Sequence, residues 1–327
     1  MKQKLLTAIA SVAVVLSAGF MPEDAAAFEP SRPIELVVHS APGGGSDVFA
    51  KELAKIIETE KVLGQPLRIV NKTARAGLEA MAYLVEKKGA DHTIAIFTNT
   101  WIATPLTAKD ARYTVRDLTP LVRLVLEPTI AVVRADQPHK TMREFVEAAR
   151  KAPGALKQAG GSVTAIESLT GLLVQKAAGV QWTFIPTPSI KDRIGNLLAG
   201  TVDLIVPQPQ DVNEHIASGR MRPIATFTEK RLAILPQVST IREQGINVPL
   251  IANSRGVLAP PGIPKAVIDY WEGAFARLVK TASWRKYLAE NQVEDVFLGS
   301  RDLGASLGEQ TTLMRAVLKE AGVAVAN

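Results

Sequence analysis

The stretch Pro33-Ile34-Glu35-Leu36-Val37-Val38-His39 runs directly into Ser40-Ala41-Pro42-Gly43-Gly44-Gly45-Ser46-Asp47, and together they decide the fold. The first run is mostly apolar and β-branched, which predicts a buried strand. The glycines predict a tight turn, and Ser46 is suited to be the N-cap of the helix that follows. Apolar residues recur there at helical spacing, at Phe49, Leu53, Ile56 and Ile57. A strand that enters a helix in this way is a typical α/β unit.

This glycine-rich turn is a candidate anion site. Glycine lets a ligand approach the backbone closely, and the first turn of a helix offers unpaired N–H groups and partial positive charge. The turn is not a Walker A loop, because no Gly-Lys-Ser/Thr follows it. Val48 stands where a dinucleotide fingerprint would need its third glycine. A tight turn without any ligand is the alternative interpretation.

A second turn of this kind, Gly160-Gly161-Ser162-Val163-Thr164, precedes the helical pattern that begins at Ile166. Alone it is equally typical of a plain loop. Two such turns in different halves of the chain indicate a ligand held between two lobes, at the carboxyl ends of strands.

Short β-type runs alternate with helical patterns along the rest of the chain, which predicts α/β layers with largely parallel sheets. The predicted strands are 67–70, 93–97, 121–126, 129–134, 182–185, 201–206 and 223–227. The predicted helices are 78–87, 141–152, 166–178, 189–198, 212–218, 265–280, 283–291 and 302–321.

Two stretches are places where the chain could cross between lobes. Glu127-Pro128 divides two β-rich runs, and residues 256–264 are rich in proline and glycine. The sequence therefore predicts a first domain made of residues 28–127 and 254–327, and a second domain made of residues 128–253.

Residues 1–27 have the pattern of a secretory signal peptide. Two lysines form a positive start, residues 5–20 are apolar and uncharged, and Ala25-Ala26-Ala27 supplies small residues for cleavage after Ala27. A membrane anchor is the alternative, but this apolar stretch is shorter than the ~20 residues that span a bilayer. The sequence predicts an exported protein whose mature chain starts at Phe28.

The composition excludes several classes of protein. The chain has 327 residues, no cysteine and a formal net charge of +6, so disulfides, thiolate nucleophiles and cysteine-bound metals are absent. Basic residues are scattered, without a Lys/Arg run or zinc-finger spacing, so no nucleic-acid partner is expected. The charge gives a mild field that favours anionic ligands without selecting among them.

No catalytic constellation stands out. The four histidines form no His-Glu-x-x-His pattern and no close pair, so no metal site is expected. Gly-x-Ser-x-Gly is absent, and Ser283-Trp284-Arg285-Lys286 lacks the companion motifs of a serine–lysine site. His39 is interpreted as a hydrogen-bonded residue at a strand end. The sequence predicts no catalytic residue and no cofactor.

A series of short motifs spans nearly the whole mature chain. They are Pro30-Ser31-Arg32-Pro33-Ile34, the first glycine loop, Gly64-Gln65-Pro66, Asn71, Gly160-Gly161-Ser162 with Glu167, Leu198-Ala199-Gly200-Thr201-Val202-Asp203, Glu229-Lys230-Arg231-Leu232 and Arg255-Gly256-Val257-Leu258-Ala259-Pro260-Pro261-Gly262. In this order and spacing they resemble the periplasmic substrate-binding subunits of tripartite tricarboxylate transporters, the Bug-type receptors.

The resemblance implies a type II periplasmic-binding-protein fold, in which two α/β domains close on a ligand cleft. It also implies a periplasmic receptor that captures a small organic carboxylate, such as a di- or tricarboxylate or an aromatic acid. Such a receptor delivers its ligand to the membrane permease subunits, and a monomer is expected. The family's two carboxylate-binding loops correspond here to Ala41, Gly43, Gly44, Gly45, Ser46 and Asp47, and to Ser162, Val163, Thr164 and Ala165.

Further predicted ligand contacts lie at strand ends and at the return crossing: Asn99, Thr100, Thr187, Gln208 and Arg255. Arg75 and Arg255 are candidates for a charge at the far end of the ligand. Closure is expected about a hinge near residues 127–129 and 253–255.

The chain departs from the family pattern around the cleft. Asn71-Lys72-Thr73-Ala74-Arg75-Ala76-Gly77 has lost a proline and several glycines, and Pro188-Ser189-Ile190 replaces a turn of three glycines. Ser168 and Ser254 stand where a histidine and a tryptophan are usual. Two other functions stay open at this point: a sensor that hands ligand information to a membrane signalling protein, and a periplasmic hydrolase with an unrecognised serine.

Overall fold

The structure is a computed structural model, and it describes residues 28–291 and 293–326. The predicted signal peptide, residues 1–27, lies outside the described residues.

In the first part of the chain the elements are β1 (Ile34–Val38), α1 (Gly45–Thr59), β2 (Leu67–Asn71), α2 (Leu78–Glu86), β3 (Thr93–Phe97), α3 (Thr100–Thr107) and β4 (Thr119–Glu127). Single 3₁₀ turns precede α2 and β4, at Ala74–Gly77 and Val115–Asp117.

The middle of the chain contains β5 (Ile130–Arg134), α4 (Met142–Lys151), β6 (Lys157–Gly160), α5 (Ile166–Ala178), β7 (Thr183–Pro186), α6 (Ile190–Leu198), β8 (Leu204–Ile205), α7 (Pro209–Ala217) and β9 (Met221–Thr226). The last part contains β10 (Asn253–Ala259), α8 (Lys265–Leu278), α9 (Ala282–Asn291), β11 (Glu294–Leu298) and α10 (Ser300–Glu320).

The strands form two sheets, with the orders β11-β4-β10-β3-β1-β2 and β7-β6-β8-β5-β9. Among the strands of the described residues, β1 pairs in parallel with β2 and β3, and β6 pairs in parallel with β7 and β8. The prediction of largely parallel sheets is wrong, because β10 and β5 each run antiparallel to both of their neighbours and β11 runs antiparallel to β4.

Four elements were missed by the sequence patterns: α3, β6, β10 and β11. Helix α3 contains Pro105, and β10 begins with the polar residues Asn253, Ser254 and Arg255, so neither has a typical composition. The strand expected over 201–206 is reduced to Leu204–Ile205. The capping prediction for α4 is confirmed, because Thr141 Oγ1 accepts a hydrogen bond from the Glu144 N–H at 3.1 Å.

Three apolar clusters hold these layers together. One cluster buries α1, α8 and α9 against the first sheet, and another buries α6 and α7 against the second. The third is continuous across both sheets, from Trp101 in α3 to Phe145 in α4 and Leu169 in α5. Helix α10 packs against both α3 and α5 and contributes Leu307 and Met314 to this cluster. The two sheets are therefore joined by packing as well as by the connecting strands.

Among the described residues, no helix is both long and apolar enough to cross a membrane.

Gly256 in β10 is the tightest backbone approach in the first sheet. A Cβ at this position would lie 2.2 Å from the Val122 carbonyl oxygen and 2.5 Å from the Phe97 ring. We expect Gly256→Ala to destabilise the fold by about 1–3 kcal/mol, because backbone atoms must move to accept the methyl group. Urea unfolding followed by circular dichroism measures this change.

The matched control is Gly308→Ala in α10, where a Cβ would meet nothing within 4 Å. This change should stabilise the helix by up to ~1 kcal/mol. Equal effects of the two substitutions would contradict the packing assigned to Gly256.

Candidate ligand-binding site

The first glycine loop is closed by its own acid. Asp47 accepts a hydrogen bond from the Gly43 N–H at 2.8 Å and another from Asn71 Nδ2 at 3.1 Å. Lys51, one helical turn further on, places its Nζ 2.7 Å from the same carboxylate. Asp47 is only 1% exposed. Burial raises its pKa, but the hydrogen bonds and the charge of Lys51 outweigh this and hold the pKa below its usual value. The Asp47 carboxylate therefore stabilises the first glycine loop.

The N-cap prediction for α1 is wrong by two residues. The helix begins at Gly45, and Gly44 is the N-cap, without a side chain to satisfy the first amides. Ser40 Oγ replaces that side chain in part, since it accepts the Asp47 N–H at 3.0 Å. Gly43 has φ +80°, a left-handed conformation that favours glycine, so the turn needs a glycine before the helix.

The first amides of α1 are open to a ligand. Within residues 28–291 and 293–326, the N–H groups of Gly45 and Ser46 have no acceptor, whereas those of Asp47 and Val48 bond Ser40 and Gly44. Unpaired amides at a helix start carry partial positive charge. An incoming carboxylate oxygen would satisfy them.

The second glycine loop repeats this arrangement. Glu167 Oε1 accepts the Gly161 N–H at 3.0 Å, and Arg193 Nη1 lies 2.9 Å from the same oxygen. The buried Gln158 fixes the loop from behind, because its Nε2 donates to the Glu167 carbonyl oxygen and its Oε1 accepts from Trp182 Nε1. The Val163 and Thr164 amides have no acceptor in the described part of the chain.

A cavity of about 130 Å³ lies between the two sheets. The starts of three helices meet there, α1 from the first sheet and α6 and α7 from the second. Its lining residues are Gly43, Gly45, Val48, Phe49, Glu52, Glu127, Ile190, Arg193, Gln208, Gln210, Asp211, Arg255, Tyr287 and Asn291. The volume is below the ~300–1,000 Å³ of pockets for drug-sized ligands, so this cavity suits a small molecule.

A larger groove of about 670 Å³ lies beside the connecting strands. It is lined mainly by apolar side chains, including Leu126, Pro128, Phe227 and Leu250. Glu127 lines the small cavity while its neighbours Leu126 and Pro128 line the groove, because successive residues of a strand point to opposite sides. The groove contains neither glycine loop, so the small cavity is the better candidate for an anion site.

An ion pair at the connecting strands forms one wall of the cavity. Arg255 Nε lies 2.7 Å from Glu127 Oε1, and both side chains are more than nine-tenths buried. Asn253 Nδ2 donates to the other carboxylate oxygen at 2.7 Å, and Arg255 also lies over the Phe49 ring. Burial lowers the pKa of Arg255, but the charge and hydrogen bond of Glu127, with smaller contributions from Tyr287 and Asp211, together outweigh this effect and raise it. The arginine predicted to read a distal charge is thus already paired.

Of the predicted site residues, Gly43, Gly45, Gln208 and Arg255 line the cavity. Asn99 lies elsewhere: its Nδ2 donates to the Ala252 carbonyl oxygen and its Oδ1 accepts the Ser254 N–H, so it supports β10.

Other predicted contacts also have local roles. Thr100 starts α3, and its N–H donates to Thr98 Oγ1 at 3.3 Å. Thr187 donates its N–H to the Gly160 carbonyl oxygen and its hydroxyl to the Ile185 carbonyl oxygen.

The remaining loop residues do not line the cavity. Ala41 is exposed, and Ser162 and Thr164 bond each other through their hydroxyls at 3.1 Å. Val163 is 52% exposed, and Ala165 is the N-cap of α5. Arg75, the other candidate for a distal charge, pairs with Asp110 on the surface.

The segment that has lost the family's glycines is strained. Arg75 and Ala76 have φ of 55° and 47°, left-handed conformations that cost about 1–2 kcal/mol each in residues other than glycine. Gly77 follows with φ +97° and packs against Trp101. Trp101 Nε1 donates to His39 Nδ1 at 2.9 Å, and burial lowers the pKa of His39 to about 4. His39 is therefore neutral at pH 7 and protonated at Nε2.

Several cavity residues were missed by the sequence patterns: Phe49, Glu127, Arg193, Gln210, Asp211 and Tyr287. Asp211 is the most informative of them. It lies in the first turn of α7, where Oδ2 accepts the Gln208 N–H at 3.3 Å. Burial and the charge of Glu127 raise the pKa of Asp211 to about 6, although Arg193 and Arg255 act in the opposite direction. The pattern Gln208-Pro209-Gln210-Asp211 is a helix-start signal that could have placed this acid in the first turn of a helix.

No group of three or more potential metal ligands occurs in the portion of the chain that the structure describes.

Comparison with known proteins identifies the class. The family model of the tripartite tricarboxylate transporter family receptor, TctC, matches residues 50–323. The chain belongs to this family of solute-binding receptors, and its fold is the two-sheet α/β fold of periplasmic binding proteins. The fold prediction and the family resemblance are confirmed.

Individual relatives agree with this assignment. The chain is 29% identical over 320 residues to the UPF0065 protein in gbd 5′ region of Cupriavidus necator, covering 97% of this chain and 96% of that one. A TctC solute-binding protein from Polaromonas matches with a TM-score of 0.70 and 26% identity, covering 89% and 99%. An R. palustris protein solved with adipate has a TM-score of 0.83 and 24% identity, covering 90% and 99%, a likeness in fold.

The raised pKa of Asp211 predicts a pH-dependent cost to folding. Asp211 is protonated more readily in the folded state than in the unfolded state. The cost of its charge to folding is therefore absent below about pH 4, grows between about pH 4 and pH 6, and is complete above about pH 6. Asp211→Asn keeps an acceptor for the Gln208 N–H and removes the charge. We expect it to stabilise the protein by roughly 2–3 kcal/mol at pH 7 and by little at pH 4.

Thermal unfolding at both pH values measures this effect. Glu58→Gln, on the exposed face of α1, is the control and should show no pH-dependent gain. A gain for Asp211→Asn that is equal at pH 4 and pH 7 would show that the cost is not electrostatic.

Proposed function

We propose that this protein is a periplasmic receptor that captures a small organic carboxylate and delivers it to the membrane subunits of a tripartite transporter. The observation that carries the proposal is the pair of unsatisfied amides, Gly45 and Ser46, at the start of α1 beside the inter-sheet cavity. An anion is the ligand that a helix start without a capping side chain binds most readily. No covalent chemistry is proposed, and capture needs none.

The relatives support this substrate class. The family is named for tricarboxylate transport, and the R. palustris protein of similar fold was solved with adipate, a carboxylate. The amides of the second loop, at Val163 and Thr164, would face the same ligand when the two lobes close.

We also propose two lobes that move about the connecting strands, with the domain boundaries predicted from the sequence. Strands β4 and β10 belong to the first sheet, while β5 and β9 belong to the second, which supports crossings near 127–130 and between β9 and β10. A signal peptide cleaved after Ala27 and a monomeric mature protein complete the proposal.

The test is a thermal-shift screen of the mature protein with mono-, di- and tricarboxylates. A ligand at 100 times its Kd should add about 2.7 kcal/mol of stability. Gly45→Val should abolish the shift, because a Cβ at this position points at Arg255 Nη2 from 3.4 Å and the larger side chain would cover the amides. Gly44 is a poorer test, since its Cβ would crowd Ser40 at 2.9 Å and distort the loop itself.

Gly64→Val is the matched control, because a Cβ at Gly64 meets nothing within 4 Å and lies away from the cavity. It should leave every ligand-induced shift intact. The proposal is wrong if no carboxylate raises the unfolding temperature, or if Gly45→Val retains full affinity.

A further inference from the structure

The charges around the cavity are unevenly compensated. Arg255 is paired with Glu127 at 2.7 Å, and Arg193 is paired with Glu167 at 2.9 Å. Asp211, which lines the same cavity, has no lysine or arginine within ion-pair distance among the described residues. Both cavity arginines are therefore occupied, and one acid is left without a cationic partner.

A second acceptor in the same wall is unsatisfied. Gln210 lines the cavity beside Asp211, and its Nε2 points at Glu127 Oε1 from 3.4 Å. That contact turns Gln210 Oε1 away from Glu127, and this oxygen has neither solvent access nor a donor in the described part of the chain. A buried acceptor without a donor is unfavourable, so a donor that reached Gln210 Oε1 would be stabilising.

Part of the cavity lining is aromatic. Phe49 and Tyr287 line the cavity, with ring centroids 6.1 Å apart in an edge-to-face arrangement. The guanidinium of Arg255 already lies over the Phe49 ring, 5.4 Å from its centroid, so one cation is already held against an aromatic face here. Acid, unsatisfied amide oxygen and aromatic rings together form the usual surroundings of an ammonium group.

We propose that the ligand of this receptor carries a cationic amino group in addition to its carboxylate. The carboxylate binds the Gly45 and Ser46 amides, and the amino group donates to Asp211 Oδ1 and Gln210 Oε1 while it faces Tyr287. This inference rests on the proposed function and narrows it to an amino acid with separated charges.

The electrostatics argue against a second carboxylate at this end. Glu127 and Asp211 already repel each other, and the pKa of Asp211 is raised by burial first and by Glu127 second, despite Arg193 and Arg255. A further anion would add to this repulsion, whereas an ammonium group would relieve it. Ionised Asp211 is needed for the contact, so affinity should fall as the pH is lowered below about 6.

The test uses unbranched ω-amino acids of three to six carbons, from β-alanine to 6-aminohexanoate. Each is compared by calorimetry at pH 7.5 with the monocarboxylate and the dicarboxylate of the same length. At one chain length at least, the amino acid should bind the mature protein tenfold or more tightly than both of its counterparts. Asp211→Asn should reduce that preference by tenfold or more, and Glu58→Gln should leave it unchanged.

The outcomes separate the two proposals. Binding of a dicarboxylate or monocarboxylate in preference to the amino acid at every length overturns this inference and leaves the receptor function standing. An Asp211→Asn variant that keeps the full preference for the amino acid also overturns it, because a purely structural role would not move the ratio. If the protein binds none of these compounds but another carboxylate stabilises it, this inference alone is overturned. If no carboxylate at all stabilises the protein, the receptor function fails as well.

Discussion

The buried ion pair between Arg255 and Glu127 is the interaction on which the arrangement of the site depends. It joins β10 to the end of β4, at the point where the chain leaves the first sheet. Removing one partner of such a pair costs about 3–5 kcal/mol, since it leaves an uncompensated buried charge. Here Asn253, the Ser46 hydroxyl and the Phe49 ring complete its surroundings. Strands β4 and β10 are thereby tied to the start of α1, so the first glycine loop and the proposed hinge form one unit.

In both glycine loops an acid bonds one glycine amide and is paired with a basic side chain. A helix start can bind an external anion only if its own acidic side chains leave some amides unpaired. Asp47 bonds Gly43 and is held by Lys51, while Glu167 bonds Gly161 and is held by Arg193. Each acid therefore holds its loop before the helix begins, two residues ahead of α1 and five residues ahead of α5. Among the described residues, the Gly45, Ser46, Val163 and Thr164 amides have no acceptor. Under the proposed function, uncharged backbone therefore binds the carboxylate, and no lysine or arginine is needed.

The sequence predicted what local chemistry determines. The first strand, its glycine loop, the α4 cap at Thr141 and the long amphipathic helices follow from periodicity and capping, and the motifs identified the family. What it missed depends on tertiary contacts. Strand β10 starts with polar residues that become buried only because Asn99 and Glu127 bond them. A single acid such as Asp211 at a helix start is indistinguishable from an ordinary cap until Glu127 is seen beside it. The same limit applies to Asn99, whose bonds to the Ala252 carbonyl oxygen and the Ser254 N–H could not be predicted from its place after a strand.

The central claim is that a carboxylate binds the open amides at the start of α1. The most direct test is backbone amide NMR of the deuterated mature protein, recorded while a carboxylate that binds to it is titrated in. The account predicts that the Gly45 and Ser46 amide resonances shift most, followed by those of Val163 and Thr164. Unchanged resonances at Gly45 and Ser46, with shifts instead at Phe227 and Leu250 in the apolar groove, would contradict it.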